Sequence, residues 1–398
     1  MREGNAEAAY LKIKENNPFP GICGRICSAP CEAVCVLNEE KAPIGIRALE
    51  RFAFDRGCWD RRPSFRPKTS KVPRGKKIAV IGSGPTGLAA AAELAKNDLQ
   101  VTVFEALDRP GGVLRYGIPE FRIPKKILDF EIEQIKDLGV NIQTNAFVGQ
   151  TINFEEIFAQ GFAAILLATG AGAPQFMDLP GANLGGVYYG EEFLMRVNLH
   201  QPHSLLTRKE LNFHLGQKIT VIGSGNTALD CARAAVRYGR TVKLIFRRTE
   251  EEMRVRDEER EFGKQEQIQF EPLVRPLEIL PDENHFANGI RCIRLDYADT
   301  EGTGKWQLTE VPGSEFILDS DTVIIGIGHR PNSLVAKFDR RLKTDEDGSL
   351  RVDEATYMTS IEGVFAAGNI VTNAGPVVEA IAAGKKAAAK IAQYAEKK

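Results

Sequence analysis

One arrangement of apolar and polar positions occurs twice in this chain. The first copy is an apolar run from Ile78 to Ile81, a glycine turn, a helical pattern over Leu88 to Ala95, and a second apolar run closed by Glu105. The second copy starts at Lys218 and repeats strand, glycine turn, helix and strand, ending at Arg248. An apolar run, a glycine break and a 3.6-residue period, in that order, predict a βαβ unit. Two nucleotide-binding domains are therefore expected, their motifs about 140 residues apart. The runs at 163–170 and 321–328 read as buried parallel strands ending in glycine loops. A last strand at 363–368 leads into a helix beginning at Val377. These signals divide the chain into a helical segment with its linker at 1–72, a first nucleotide domain at 73–184 plus 321–398, and a second domain inserted at 185–320. The predicted class is α/β with two Rossmann-like domains. Within the first segment, Ile46 to Asp55 reads as a helix, and the proline-rich, basic stretch Arg61 to Lys77 as an extended linker.

Composition narrows the function. With 52 Lys and Arg against 53 Asp and Glu, the 398-residue chain has a net charge of -1, which speaks against nucleic-acid binding driven by bulk charge. No run of 18 apolar residues suggests a transmembrane helix, and the N-terminus has no apolar signal region, so a cytoplasmic protein is expected. Four of the seven cysteines fall within residues 23–35, which is no disulfide framework.

The first turn carries G-x-G-x-x-G as Gly82, Gly84 and Gly87. The first glycine makes the turn, the second lets backbone approach a pyrophosphate, and the third lets helix pack on strand. Glu105, closing the second strand, is placed to accept from ribose hydroxyls. The second turn has Gly223, Gly225 and Ala228, and its second strand ends in Arg247 and Arg248, with Arg254 beyond. Cations there suit a 2'-phosphate, so NADP(H) is favoured over NAD(H); the opposing expectation is that Glu250, Glu251 and Glu252 neutralise them as surface pairs. One acidic and one basic turn fit a tightly held FAD and an exchangeable nicotinamide nucleotide, with hydride transfer between them.

Cys23, Cys27, Cys31 and Cys35 recur every four residues, with Pro30 breaking any continuous helix. Their spacing leaves open an iron–sulfur cluster, zinc or unliganded thiols. Cys58, Cys231 and Cys292 stand alone and read as structural thiols. No dithiol pair accompanies either glycine turn, so electrons leaving a flavin need another acceptor. No Ser-His-Asp arrangement, H-E-x-x-H or Walker A motif is present, and His329 is the one histidine at the end of a buried run.

Four stretches together, NPFPGICGRICSAPCEAVC, GGVLRYGIPEFRIPK, IFRRTEEEM and GVFAAGNIVTNAGPVVEAIAAGKKAA, resemble the small subunit of NADPH-dependent glutamate synthase and its relatives. Those relatives include the flavin region of dihydropyrimidine dehydrogenase and the large subunit of NADH-dependent ferredoxin:NADP oxidoreductase. The resemblance covers nearly the whole chain and implies a glutathione-reductase-like fold behind a small helical iron–sulfur domain. It implies FAD at Gly82, Gly84, Pro85, Gly87, Glu105, Gly112, Arg122, Val148, Gly170, Gly368, Asn369 and Val377. Asn369 stands where the family has aspartate. It implies NADP(H) at Ser224, Gly225, Asn226, Thr227, Arg247, Arg248 and Arg254. It draws cluster ligands from Cys23, Cys27, Cys31, Cys35 and Glu50. Relatives hold two [4Fe-4S] clusters using further cysteines upstream, which this sequence, starting at Met1, does not show. The expectation is that a ferredoxin-like iron–sulfur subunit, within a larger redox enzyme, completes the cluster. The chain then reads as the flavin subunit of an NAD(P)H:ferredoxin-type oxidoreductase. The alternatives are a glutamate synthase small subunit and a non-catalytic nucleotide-binding assembly module.

Overall fold

The computed structural model describes residues 4–40, 42–61, 73–200, 213–298, 306–331, 334–373 and 375–398. Most of the expected linker, residues 62–72, lies outside the described residues. The chain divides into two compact units, one of residues 1–173 with 329–398 and one of residues 174–328.

The first unit is built on a five-stranded parallel sheet, ordered Val364–Ala366, Phe162–Leu167, Lys77–Ile81, Gln100–Phe104, Asn141–Gln143. Its apolar runs are continuous because alternate side chains enter different cores. Ile78, Val80, Leu166 and Phe365 pack under the helices Pro85–Lys96 and Val377–Lys397, whereas Ala79, Ile81, Leu167 and Val364 pack with Ile157, Val335 and Leu350. The late return of the chain to this sheet through Val364–Ala366 follows the sequence expectation.

The second unit repeats the arrangement, with parallel order Val187–Tyr189, Thr322–Ile325, Lys218–Ile222, Thr241–Ile245, Gln269–Glu271. Here the structure corrects the domain boundary. The strand Thr322–Ile325, assigned with residues 321–398 to the first domain, belongs to the second sheet. All four of its residues are buried, and it pairs with strands on both sides, which an edge position could not provide. An antiparallel sheet of Val274–Pro281, Ala287–Ala298, Gln307–Glu310 and Phe316–Leu318 is a further element of this unit, with no counterpart in the sequence expectation.

The N-terminal helices pack within the first unit. Tyr10, Ala53, Phe54 and Cys58 form a small core with Ile127 of the helix Lys125–Lys136. From that same helix, buried Glu131 accepts the N–H groups of Gly21 (2.9 Å) and Ile22 (3.2 Å), at the start of the helix Pro20–Ile26. Burial raises the Glu131 carboxyl to about 7, while the Lys14 charge and these two N–H groups oppose the rise. One carboxylate thus ties the cysteine-bearing segment to the helix Lys125–Lys136. A glutamine has one acceptor oxygen and would aim its NH2 at the second N–H. We predict that Glu131→Gln loosens this contact by about 1–3 kcal/mol. Faster amide hydrogen exchange across residues 21–26, with unchanged exchange in the strand Lys77–Ile81, is the expected reading.

Candidate functional site

The first glycine turn has the geometry its sequence predicts. Gly82 adopts φ +100, and a β-carbon there would lie 2.6 Å from the Ala168 carbonyl oxygen. A β-carbon on Gly87 would come within 1.9 Å of the Gly82 oxygen, so helix and strand meet there without room for a methyl group. Around Gly84, by contrast, a β-carbon would meet nothing within 4 Å, and Gly84 precedes the uncapped N-terminus at Pro85. Open space in front of a helix N-terminus is what a pyrophosphate requires.

Glu105, 6% exposed, is already held in place. Its Oε2 accepts from Ser83 N–H (3.0 Å) and from the Ser83 hydroxyl, and its Oε1 from Leu107 N–H (2.9 Å). Of about four acceptor positions on a carboxylate, this leaves one on Oε1 for a ribose hydroxyl. The Ser83 hydroxyl also accepts from Gly111 N–H at 3.0 Å, joining Glu105 to the Gly111–Gly112 segment. Gly112 lies so close that its β-carbon would stand 2.8 Å from Gly84 Cα. Ser83 was not among the sequence candidates; its place between the two turn glycines was the available signal.

The remaining FAD candidates share this unit. Arg122 is half-buried in the turn after Pro119, and Val148 is buried in a bridge to Ile152. Gly170, at φ +71, has open space at its β-position, and the adjacent Thr169 Oγ1 is buried without a hydrogen-bond partner. Gly368 packs on Thr86, and Asn369 donates from Nδ2 to Gly375 O at 3.2 Å. Val377 opens the long C-terminal helix, whose N-terminus has no side-chain cap. Open turns, an orphaned hydroxyl and uncapped helix starts fit a dinucleotide flavin.

The second turn, in the other unit, repeats this geometry with one exchange. Gly223 has φ +136, and a β-carbon there would lie 2.2 Å from Gly326 O; at Gly225 nothing lies within 4 Å. Alanine is tolerated in the third position because Gly326 faces it: a β-carbon on Gly326 would lie 3.1 Å from the Ala228 methyl. Ser224, Gly225, Asn226 and Thr227 form the turn and the start of the helix Asn226–Arg237. Arg254 is brought beside it by a backbone bridge to Gly225.

Arg247, Arg248 and Arg254 are exposed, and among the described residues none is in an ion pair. The neighbouring acids are engaged elsewhere. Glu250 pairs with Arg260 and Lys264, and Glu252 accepts from Tyr297 Oη and Thr249 N–H. No ion pair joins these arginines to the described acids, although hydrogen bonds from Tyr297 and Thr249 and, behind them, the Arg248 charge hold the Glu252 carboxyl below its ordinary range.

At the N-terminus, the chain leaves the helix Pro20–Ile26 at Cys27, passes through left-handed Ala29, and restarts in the short helix Pro30–Ala33. This reversal aims Ala29 N–H at Cys27 Sγ, 3.3 Å away, the kind of bond that stabilises a cluster-bound sulfur. Burial pushes the Cys27 thiol up, and the Ala29 N–H opposes it; the charges of Glu50 and Cys31 also act on it. Cys23 is 3% exposed, and burial with the Glu50 charge holds its thiol well above the ordinary range. Burial raises the Glu50 carboxyl, against a hydrogen bond from Asn17. Cys31 is exposed and Cys35 half-buried. Among the described residues no three His, Cys, Asp or Glu side chains close into a metal cage. The thiols are soft donors close together in sequence, and Cys27 accepts an N–H···S bond of the kind iron–sulfur ligation uses. Cys58, Cys231 and Cys292 are free and buried. His329 begins the segment that returns to the first unit. No described helix is long and apolar enough to cross a membrane.

The sequence profile of the pyridine nucleotide-disulphide oxidoreductases matches residues 50–159 and 76–384, and that of the dihydropyrimidine dehydrogenase domain II, 4Fe-4S cluster, matches residues 1–60. The chain is 36% identical to the NADP(+)-dependent formate dehydrogenase subunit beta of Moorella thermoacetica, covering 99% of this chain and 57% of that one. It is 35% identical to the glutamate synthase [NADPH] small chain of Azospirillum brasilense, covering 100% and 83%. The chain thus spans little more than half the length of the first relative. FprA from Mycobacterium tuberculosis, solved in complex with NADPH, shares the fold with a TM-score of 0.65 at 21% identity, over 81% of this chain and 85% of that one.

Free arginines beside an open turn predict selectivity for a 2'-phosphate. Changing Arg247 and Arg248 together to alanine is expected to weaken NADPH binding at least about tenfold, since each charge-assisted bond contributes about 1.5–3 kcal/mol. NADH binding, measured by the same titration, should barely move. Equal losses for both nucleotides would assign the arginines to the fold or the surface, with no preference for the 2'-phosphate.

Proposed function

This chain belongs to the pyridine nucleotide-disulphide oxidoreductase family, and from that premise we propose that it is the flavin subunit of an NAD(P)H:ferredoxin-type oxidoreductase. The observation that carries the reading is the pairing, in one chain, of a turn closed by buried Glu105 with a turn closed by exposed arginines. The first is the proposed FAD site and the second the proposed NADP(H) site. FAD, when bound, accepts hydride from nicotinamide and releases electrons singly. The residues of the chain supply position. Ser83 and Leu107 fix Glu105 for the flavin ribose, and the Gly225 turn with Arg247, Arg248 and Arg254 would hold the nicotinamide nucleotide by its phosphates.

Cys23, Cys27, Cys31, Cys35 and Glu50 form the pool from which a [4Fe-4S] cluster takes its ligands, with a partner chain supplying what the pool lacks. Support comes from the match of residues 1–60 to a 4Fe-4S domain, and from a relative whose printed name makes it one subunit of a larger enzyme. The proposed partner is a small ferredoxin-like iron–sulfur subunit, in a cytoplasmic assembly. A second reading, the small subunit of a glutamate synthase, is favoured by the 83% coverage of that relative. It keeps the same electron chemistry and differs in the partner that receives it.

The reading is tested anaerobically with NADPH and a bacterial two-cluster ferredoxin. The wild-type chain, purified with the partners that accompany it in the cell, should lose its flavin absorbance on NADPH addition and then reduce the ferredoxin. Cys27→Ser should keep flavin bleaching while ferredoxin reduction falls at least about tenfold. Ferredoxin reduction at the wild-type rate in Cys27→Ser would separate the cysteines from the electron path. A flavin that NADPH leaves oxidised would remove the oxidoreductase reading altogether.

A further inference from the structure

Asn17 stands three residues before the start of the helix Pro20–Ile26, in the run Asn17-Pro18-Phe19-Pro20. Its Oδ1 accepts from Phe19 N–H at 2.9 Å and from the Cys23 thiol at 3.7 Å. Its Nδ2 donates to Glu50 Oε1 at 2.6 Å, across 33 residues of sequence. The orientation of this amide follows from chemistry. A backbone N–H only donates, so the oxygen must face Phe19 and the NH2 must face Glu50. Among the described residues, Asn17 is the hydrogen-bond partner of Glu50, and it occupies Oε1 alone.

We propose that Asn17 is a positioning residue that presents Glu50 to the N-terminal cluster through the single oxygen Oε2. This rests on the cluster reading given above. With Oε1 accepting the N–H donor, the carboxylate plane is held by that bond and Oε2 is the oxygen left without a partner among the described residues. The same amide reaches the cysteine helix through Phe19 and Cys23. It therefore sets the carboxylate on the helix Ile46–Gly57 relative to the turn that carries Cys27. Ligating groups are commonly oriented by such outer partners, whose loss costs about 10–100-fold in metal affinity.

Two substitutions separate this role from a merely structural one. Asn17→Asp keeps an acceptor for Phe19 N–H but turns an acceptor toward Glu50, whereas Asn17→Ala removes both bonds. Each variant is purified anaerobically with the partners that accompany it in the cell. Iron per flavin, the rate of iron loss to a chelator and the electron paramagnetic resonance of the reduced cluster are then measured. If Asn17 acts through Glu50, Asn17→Asp is the more damaging change. Iron should leave about tenfold faster or more, with altered resonance and an unchanged ratio of flavin to protein. A cluster in Asn17→Asp with wild-type spectrum and iron retention overturns the proposal, since the aspartate preserves the Phe19 contact and removes only the donor. A wild-type protein with full flavin and no iron overturns the cluster reading itself, a failure distinguishable from the first.

Discussion

At Gly87 a β-carbon would stand 1.9 Å from the Gly82 carbonyl oxygen, and at Gly223 one would stand 2.2 Å from that of Gly326. The first approach sets the distance between strand and helix, the second sets the turn against the loop after the strand Thr322–Ile325, and both turns keep open space at Gly84 and Gly225. The chemistry each turn can perform is then decided by what ends the following strand. Glu105 is buried and fixed by Ser83, while Arg247 and Arg248 are exposed and in no ion pair among the described residues. Similar turns with opposite closing charges are the basis on which two nucleotide preferences are proposed for one chain.

The N-terminal segment depends on a different kind of constraint. Its helices are short, and the reversal at Ala29 leaves little local structure to hold Cys27 and Cys31 in place. Long-range polar contacts do that work: Glu131 receives the start of the cysteine helix, and Asn17 joins that helix to Glu50. Arg25 adds an ion pair with Asp55 at 2.7 Å, fastening the same two helices. A donor set organised by side chains from distant positions is rigid only when those contacts are complete.

Much of this was legible in the sequence, because glycine requirements are local. Gly82 and Gly87 make the close approaches and Gly84 leaves the open space that their spacing predicts, and Glu250 and Glu252 near Arg247 have partners of their own. What failed to be legible is non-local. The apolar run at 321–328 announces a strand buried on both faces, but periodicity does not say which of two similar sheets it joins. Thr322–Ile325 enters the second because its partners are Val187–Tyr189 and Lys218–Ile222. The antiparallel sheet from Val274 onward, and the contacts of Ser83, Asn17 and Glu131, likewise depend on residues far apart in sequence or on side-chain direction.

The most direct test of the central claim is an anaerobic reductive titration of the purified, iron-loaded chain with NADPH, counting electrons taken up per flavin. If both turns and the cysteine segment belong to one relay, uptake passes the roughly two electrons a flavin accepts, and a reduced iron–sulfur resonance appears as it does so. Uptake that stops at about two electrons, with the iron still oxidised at excess NADPH, would contradict the account by separating the cluster from the flavin.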